Sequence, residues 1–205
     1  MKTLFLSSLF MDVTNIFQEY VQEDLKGKSI TFIPTASIPE TIKSYVIKAK
    51  KAFEKMGLIV DELEITESSK EKIAEKLKHN NYIYVSGGNT FFLLQELKRK
   101  EADKMIIEQI NSGKLYIGES AGSMILSPNI EYVKDMDDCT IAEDLTDFFA
   151  LNVIDFYPVP HQGNFPFVKS VKKIISKYDS KLNLCVINNS QVISVEDKKI
   201  NILSK

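Results

Sequence analysis

Apolar and polar positions along the chain switch between two periods. Residues 2–8 are a short apolar run that predicts a first strand. Val13, Ile16, Phe17, Tyr20, Val21 and Leu25 then fall at i, i+3, i+4, i+7, i+8 and i+12, one face of a helix. Residues 29–34 are short and β-rich, and Pro39 stands where a first helical residue would, opening a second helix that ends near Met56 with Gly57 as its cap. A strand over 58–65, a helix over 68–79, a buried strand over 82–85, helices over 91–98 and 102–112 and a strand over 115–117 follow. This β-α-β-α order predicts an α/β fold: a mostly parallel sheet with helices on both faces and sites beyond the carboxyl ends of its strands. Residues 153–160 read as a further strand and 167–178 as a helix. The tail changes character, since 183–187, 191–195 and 199–203 are short strands joined by turn residues, a hairpin or meander at one edge. With no repeat, low-complexity segment or linker, residues 1–205 read as a single domain.

Composition narrows the function by exclusion. The 205 residues carry 26 Lys and Arg against 28 Asp and Glu, a net charge of −2, so no basic field favours nucleic acid. Arg99 is the only arginine, which leaves no set of guanidinium forks to clamp a carboxylate or phosphate. Two cysteines, Cys139 and Cys185, and two histidines, His79 and His161, argue against a disulfide framework and a multi-histidine metal cluster. The first ten residues lack a small-x-small cleavage site and no stretch approaches a membrane span, so a cytoplasmic protein is expected.

The chemistry concentrates in two turns and one imidazole. Gly118-Glu119-Ser120-Ala121-Gly122 is a G-x-S-x-G between a strand and a short apolar helix start, the setting of a nucleophile elbow. Such a turn strains the serine backbone and needs glycines where a Cβ would strike the flanking elements. Ser86-Gly87-Gly88-Asn89-Thr90 also follows a buried strand and opens a helix; in a parallel sheet both turns emerge on one edge. The amides of Gly88 and Ala121 are then candidates for an oxyanion hole, with Asn89 and Thr90 shaping the loop or capping its helix. A serine hydroxyl needs a base. His79 lies at a polar helix end, where a solvated cap is expected, so His161, at the end of the strand-like run, is the candidate. Asp135, Asp137, Asp138 or Asn188 could orient its ring.

These residues resemble the peptidase E (alpha-aspartyl dipeptidase) family of serine peptidases, more distantly related to cyanophycinases. The resemblance spans nearly the whole chain and rests on residues 85–91 with Leu93-Leu94, on residues 116–122, and on Asp135 followed by Pro160-His161. It implies a class I glutamine amidotransferase-like fold, acylation of Ser120, His161 as base and an oxyanion hole from Gly88 and Ala121. It also implies a catalytic carboxylate where residues 183–187 enter the last hairpin, a place that falls on Asn188 here; Asp135 matches another aspartate tied to the family's activity. Family members that select an amino-terminal aspartate use an arginine in the segment after the histidine. Phe167 falls near that place and Lys169 is the nearest cation.

The expectation is a serine peptidase, without metal or cofactor, that hydrolyses short peptides at the amino terminus, Asp-Xaa dipeptides among the candidates. A small peptide is the expected partner, with neither nucleic acid nor membrane, for a monomer or homodimer. The rival is a catalytically degraded relative that binds a peptide or amino acid, which an uncharged Asn188 motivates.

Overall fold

A computed structural model describes residues 1–204. The main sheet is built from seven strands: β1 (Thr3–Ser7), β2 (Ser29–Ile33), β3 (Ile59–Glu62), β4 (Tyr82–Val85), β5 (Leu115–Glu119), β8 (Gln191–Glu196) and β9 (Lys199–Ser204). They lie in the order β3-β2-β4-β5-β1-β8-β9. The first five are parallel, while β8 runs antiparallel to β1 and hairpins into β9. The sheet is thus mostly parallel with helices on both faces, a class I glutamine amidotransferase-like arrangement.

Strand alternation explains the two layers. In β4, Tyr82 and Tyr84 point to one face and Ile83 and Val85 to the other; in β1, Phe5 opposes Leu4 and Leu6. One face is aromatic. Phe5, Phe10, Phe17, Phe32, Phe53 and Tyr84 pack there under α1 (Thr14–Val21) and α2 (Ser44–Lys55), with Phe10 stacked on Phe53 at 4.2 Å. The other is aliphatic and lies under α3 (Lys70–His79), α4 (Thr90–Arg99), α5 (Ala102–Asn111) and the short α6 (Ala121–Met124). Burying each Phe contributes about 2–3 kcal/mol, so the paired layers fix the stacking order of the strands.

Two local expectations shift. Pro39 does not open α2, which begins at Ser44; residues 35–37 form a 3₁₀ turn instead, where the Ala36 carbonyl accepts from Asn89 N at 2.8 Å. The tail is not a three-strand meander, since β7 (Leu184–Val186) leaves the main sheet. It pairs in parallel with β6 (Tyr157–Val159) in a separate ribbon, and α7 (Val168–Tyr178) connects the two. A parallel pair needs a crossover, and α7 supplies it. Only β8 and β9 make the edge hairpin. Among the described residues no helix is long and apolar enough to cross a membrane.

Candidate active site

The carboxyl ends of β4, β5 and β1 lie side by side, with Val85 opposite Gly118 and Ser7 opposite Glu119. The chain leaving β5 turns at once into α6, which forces Ser120 to φ +49°, ψ −106°, a conformation few side chains adopt. The turn closes only because its flanks are bare. A Cβ on Gly122 would stand 2.1 Å from the Val85 carbonyl oxygen, and one on Gly118 would stand 2.6 Å from the Gly122 carbonyl oxygen. The Ser120 amide donates to Ser7 O at 2.9 Å, which anchors the elbow to β1.

The second glycine turn packs against the first. A Cβ on Gly87 would lie 3.3 Å from Ser120 Cβ, and Gly88, at φ +133°, abuts the Ala36 carbonyl so closely that a Cβ would sit 2.1 Å from its oxygen. Neither Gly88 N–H nor Ala121 N–H has a hydrogen-bond partner among the described residues. Asn89 lines the site and caps α4, its Oδ1 accepting from Phe92 N at 2.9 Å, while its Nδ2 donates to Asp138 O at 2.9 Å. Thr90 is fully buried, and both its N–H and its hydroxyl donate to Asp137 Oδ2, at 2.8 and 2.6 Å. Thr90 therefore fastens the 136–138 loop to the helix start instead of facing the site.

Ser120 Oγ stands 2.9 Å from His161 Nε2. The imidazole arrives from the separate ribbon, just past β6, on a residue with φ +68° whose N–H donates to Ser8 Oγ at 3.0 Å. Its Nδ1 lies 2.9 Å from Asn189 Oδ1. A carbonyl oxygen only accepts, so Nδ1 carries the proton and Nε2 meets Ser120 with its lone pair. Phe167 stacks on the ring at 4.3 Å with a 20° tilt, and His161 is 7% exposed. Burial pulls the imidazole below its ordinary value, and the Asn189 bond opposes this in part.

The structure brings Ser120, His161, Gly88, Ala121 and Asn89 together and leaves Asp135 and Asn188, like Thr90, out of the cavity. Asp135 points outward to Lys173 and Lys177, at 3.7 and 3.5 Å, because the 131–135 turn faces α7 and not the cleft. Asn188 folds its side chain onto its own turn, accepting from Ser190 N and Oγ at 2.8 Å each. The ring's partner is Asn189, one residue on, held by Asn164 Oδ1 accepting from its N–H at 3.1 Å. Asp137 and Asp138 are engaged with Thr90 and Thr140. Ser8 was not foreseen, although its place directly after β1 is a readable signal in a fold that puts sites at strand ends. His79 is exposed at the end of α3, as expected.

A cavity of about 360 Å³ opens over Ser120 and His161. Tyr45, Met136, Ile141, Phe165 and Phe167 supply apolar wall, and Glu40, Glu119, Asp137 and Asp138 supply carboxyls; among the described residues no lysine or arginine lines it. No cluster of three metal-ligating side chains exists among the described residues.

A family model of peptidase family S51 matches residues 4–203. The chain belongs to peptidase family S51. It is 52% identical to an uncharacterized peptidase of Listeria innocua over 200 residues, 98% of this chain and 95% of that one. A peptidase E of a Nostoc species is 34% identical over 165 residues, 76% of this chain and 65% of its own. A crystal structure of a Listeria monocytogenes protein provisionally assigned to peptidase E superposes with a TM-score of 0.96 at 48% identity, covering 100% of this chain and 99% of the other. This S51 chain is a peptidase and hence a hydrolase, and its resemblance to peptidase E holds over its whole length.

Proposed function

We propose that this S51 peptidase is of the serine type and cleaves short peptides beside a free amino terminus through an acyl-enzyme on Ser120. The observation that carries this reading is the 2.9 Å contact between Ser120 Oγ, on a strained elbow, and the acceptor nitrogen of a buried, neutral imidazole. His161 Nε2 takes the hydroxyl proton as Oγ bonds to the peptide carbonyl carbon. The oxygen that becomes anionic points to the unpaired amides of Gly88 and Ala121, each such donor contributing about 3–4 kcal/mol in the transition state. The imidazolium then protonates the leaving amine as the C–N bond breaks, and water repeats the sequence to free Ser120. A cavity of about 360 Å³ suits a residue or two, not an extended chain.

The same lining bears on specificity. Phe165 and Phe167 occupy the wall, and four carboxyls surround it with no cationic side chain among the described residues, so an acidic first side chain meets repulsion. Asp-Xaa dipeptides are expected to be poorer substrates than neutral ones.

Ser120→Ala should lower kcat roughly a million-fold at unchanged melting temperature, and a fluorophosphonate should label Ser120 in the native protein alone. Asn189, uncharged, favours the second reading of a peptide-binding relative without turnover. Peptide binding without labelling or hydrolysis would establish it.

A further inference from the structure

We propose that Glu119 is the receptor for a primary ammonium group of the substrate. It ends β5, directly before the nucleophile, and is 1% exposed. One carboxylate oxygen, Oε2, accepts from Phe10 N at 2.9 Å and Tyr84 Oη at 3.0 Å. The other, Oε1, has no donor among the described residues. It lies toward Gly87, where an added Cβ would be 3.5 Å away, and Glu119 is part of the cavity lining. A buried carboxylate without a counter-ion is unfavourable, and burial raises Glu119 to about 7. An arriving ammonium restores the missing charge and gives Oε1 its donor.

Chemistry agrees with this placement. In a peptide the α-nitrogen is two bonds from the carbonyl carbon attacked by Ser120, so its receptor must border the same cavity as the nucleophile, as Glu119 does. Glu119 is the adjacent residue. Asp137 and Glu40 reinforce the sign of the field, both near enough, with Glu119, to disfavour ionisation of Tyr45. A lysine side chain at the first position carries the same ammonium group, and the experiment separates the two sources.

The inference rests on the peptidase reading, so turnover and binding are measured apart. Leu-Ala-Ala, its N-acetyl form, Lys-Ala-Ala and norleucyl-Ala-Ala are compared as substrates of the wild type and of Glu119→Gln, and as calorimetric ligands of Ser120→Ala with and without Glu119→Gln. The amide oxygen of that variant still accepts the Phe10 and Tyr84 bonds, and a melting curve checks the fold. Free Leu-Ala-Ala should exceed its acetyl form by at least tenfold while Glu119 is present and by less than twofold in Glu119→Gln. A collapse of the lysine-over-norleucine ratio instead assigns the receptor to the side-chain ammonium. Equal handling of all four peptides by the wild type, or ratios indifferent to Glu119→Gln, would overturn the proposal, as would absence of binding. Ratios preserved in binding without any turnover would leave the receptor standing and remove the peptidase reading.

Discussion

The two halves of the site are built by different physics. The nucleophile side comes from the main sheet. Its serine, its glycine turn and its free amides are set by backbone passing so close to backbone that a Cβ added at Gly88, Gly118 or Gly122 would stand 2.1–2.6 Å from a carbonyl oxygen. The base side comes from the two-stranded ribbon, and its histidine is held by side chains: Asn189 on the ring at 2.9 Å, Ser8 on the backbone N–H at 3.0 Å and the face of Phe167 at 4.3 Å. The first half is a steric necessity of the fold. The second is a set of exchangeable contacts layered on it. Bulk added at the glycines of the nucleophile side should therefore damage the protein, and alterations on the base side should damage only the reaction.

The harshest trial of this contrast is Gly122→Ala. Its Cβ would meet the Val85 carbonyl at 2.1 Å, so β4 or α6 must move; a loss of about 3 kcal/mol or more in urea unfolding is expected. A stability near wild type would show the elbow to be as adaptable as the other half. Asn189→Ala should do the reverse, lowering kcat by between about a hundred- and a thousandfold with little change in melting. Asn189→Asp sharpens the point. A negative charge beside Nδ1 favours the imidazolium, so the acidic limb of kcat/KM, expected below the ordinary histidine value in the wild type, should move to higher pH.

Glu119→Gln tests stability on the nucleophile side through pH. The folded state raises this carboxyl from 4.5 to about 7, so the native protein holds its proton more tightly than the unfolded chain. That contribution is complete below about pH 4.5 and is lost as pH rises through 7. The neutral amide loses nothing, so Glu119→Gln should be more stable than wild type by up to about 3 kcal/mol at pH 8.5 and equal to it at pH 4. Equal melting at both values would mean the carboxyl finds a counter-charge already in the free protein. The smallest effect belongs to Asp135→Asn. Its ion pairs with Lys173 and Lys177 are long and on the surface, each side chain reaching water; kcat/KM should change less than twofold and stability by less than about 1 kcal/mol. A large loss of activity would return Asp135 to the catalytic machinery.

The uneven legibility of the site has the same origin. Gly118, Ser120 and Gly122 announce themselves because a local turn demands them at fixed spacing, and Gly87-Gly88 likewise. His161 is singled out by the scarcity of histidines in the chain. Asn188 and Asn189 are chemically identical neighbours, and nothing local separates them. Which one meets the ring depends on where Asn164 pins the turn and how β7 leaves the main sheet. Glu119 occupies the first variable position of its motif, so its importance shows only once β5 places it against Tyr84, Phe10 and the cavity.

Periodicity and glycine spacing alone dictate the parallel sheet, its helical layers and the elbow, because those features express how a strand or a turn excludes bulk within a few residues. The partner of His161, the outward turn of Asp135 and the buried charge beside Ser120 were settled by folding. Each is a meeting of segments tens of residues apart, and the free energy of such a meeting depends on the whole packed neighbourhood rather than on any stretch of chain.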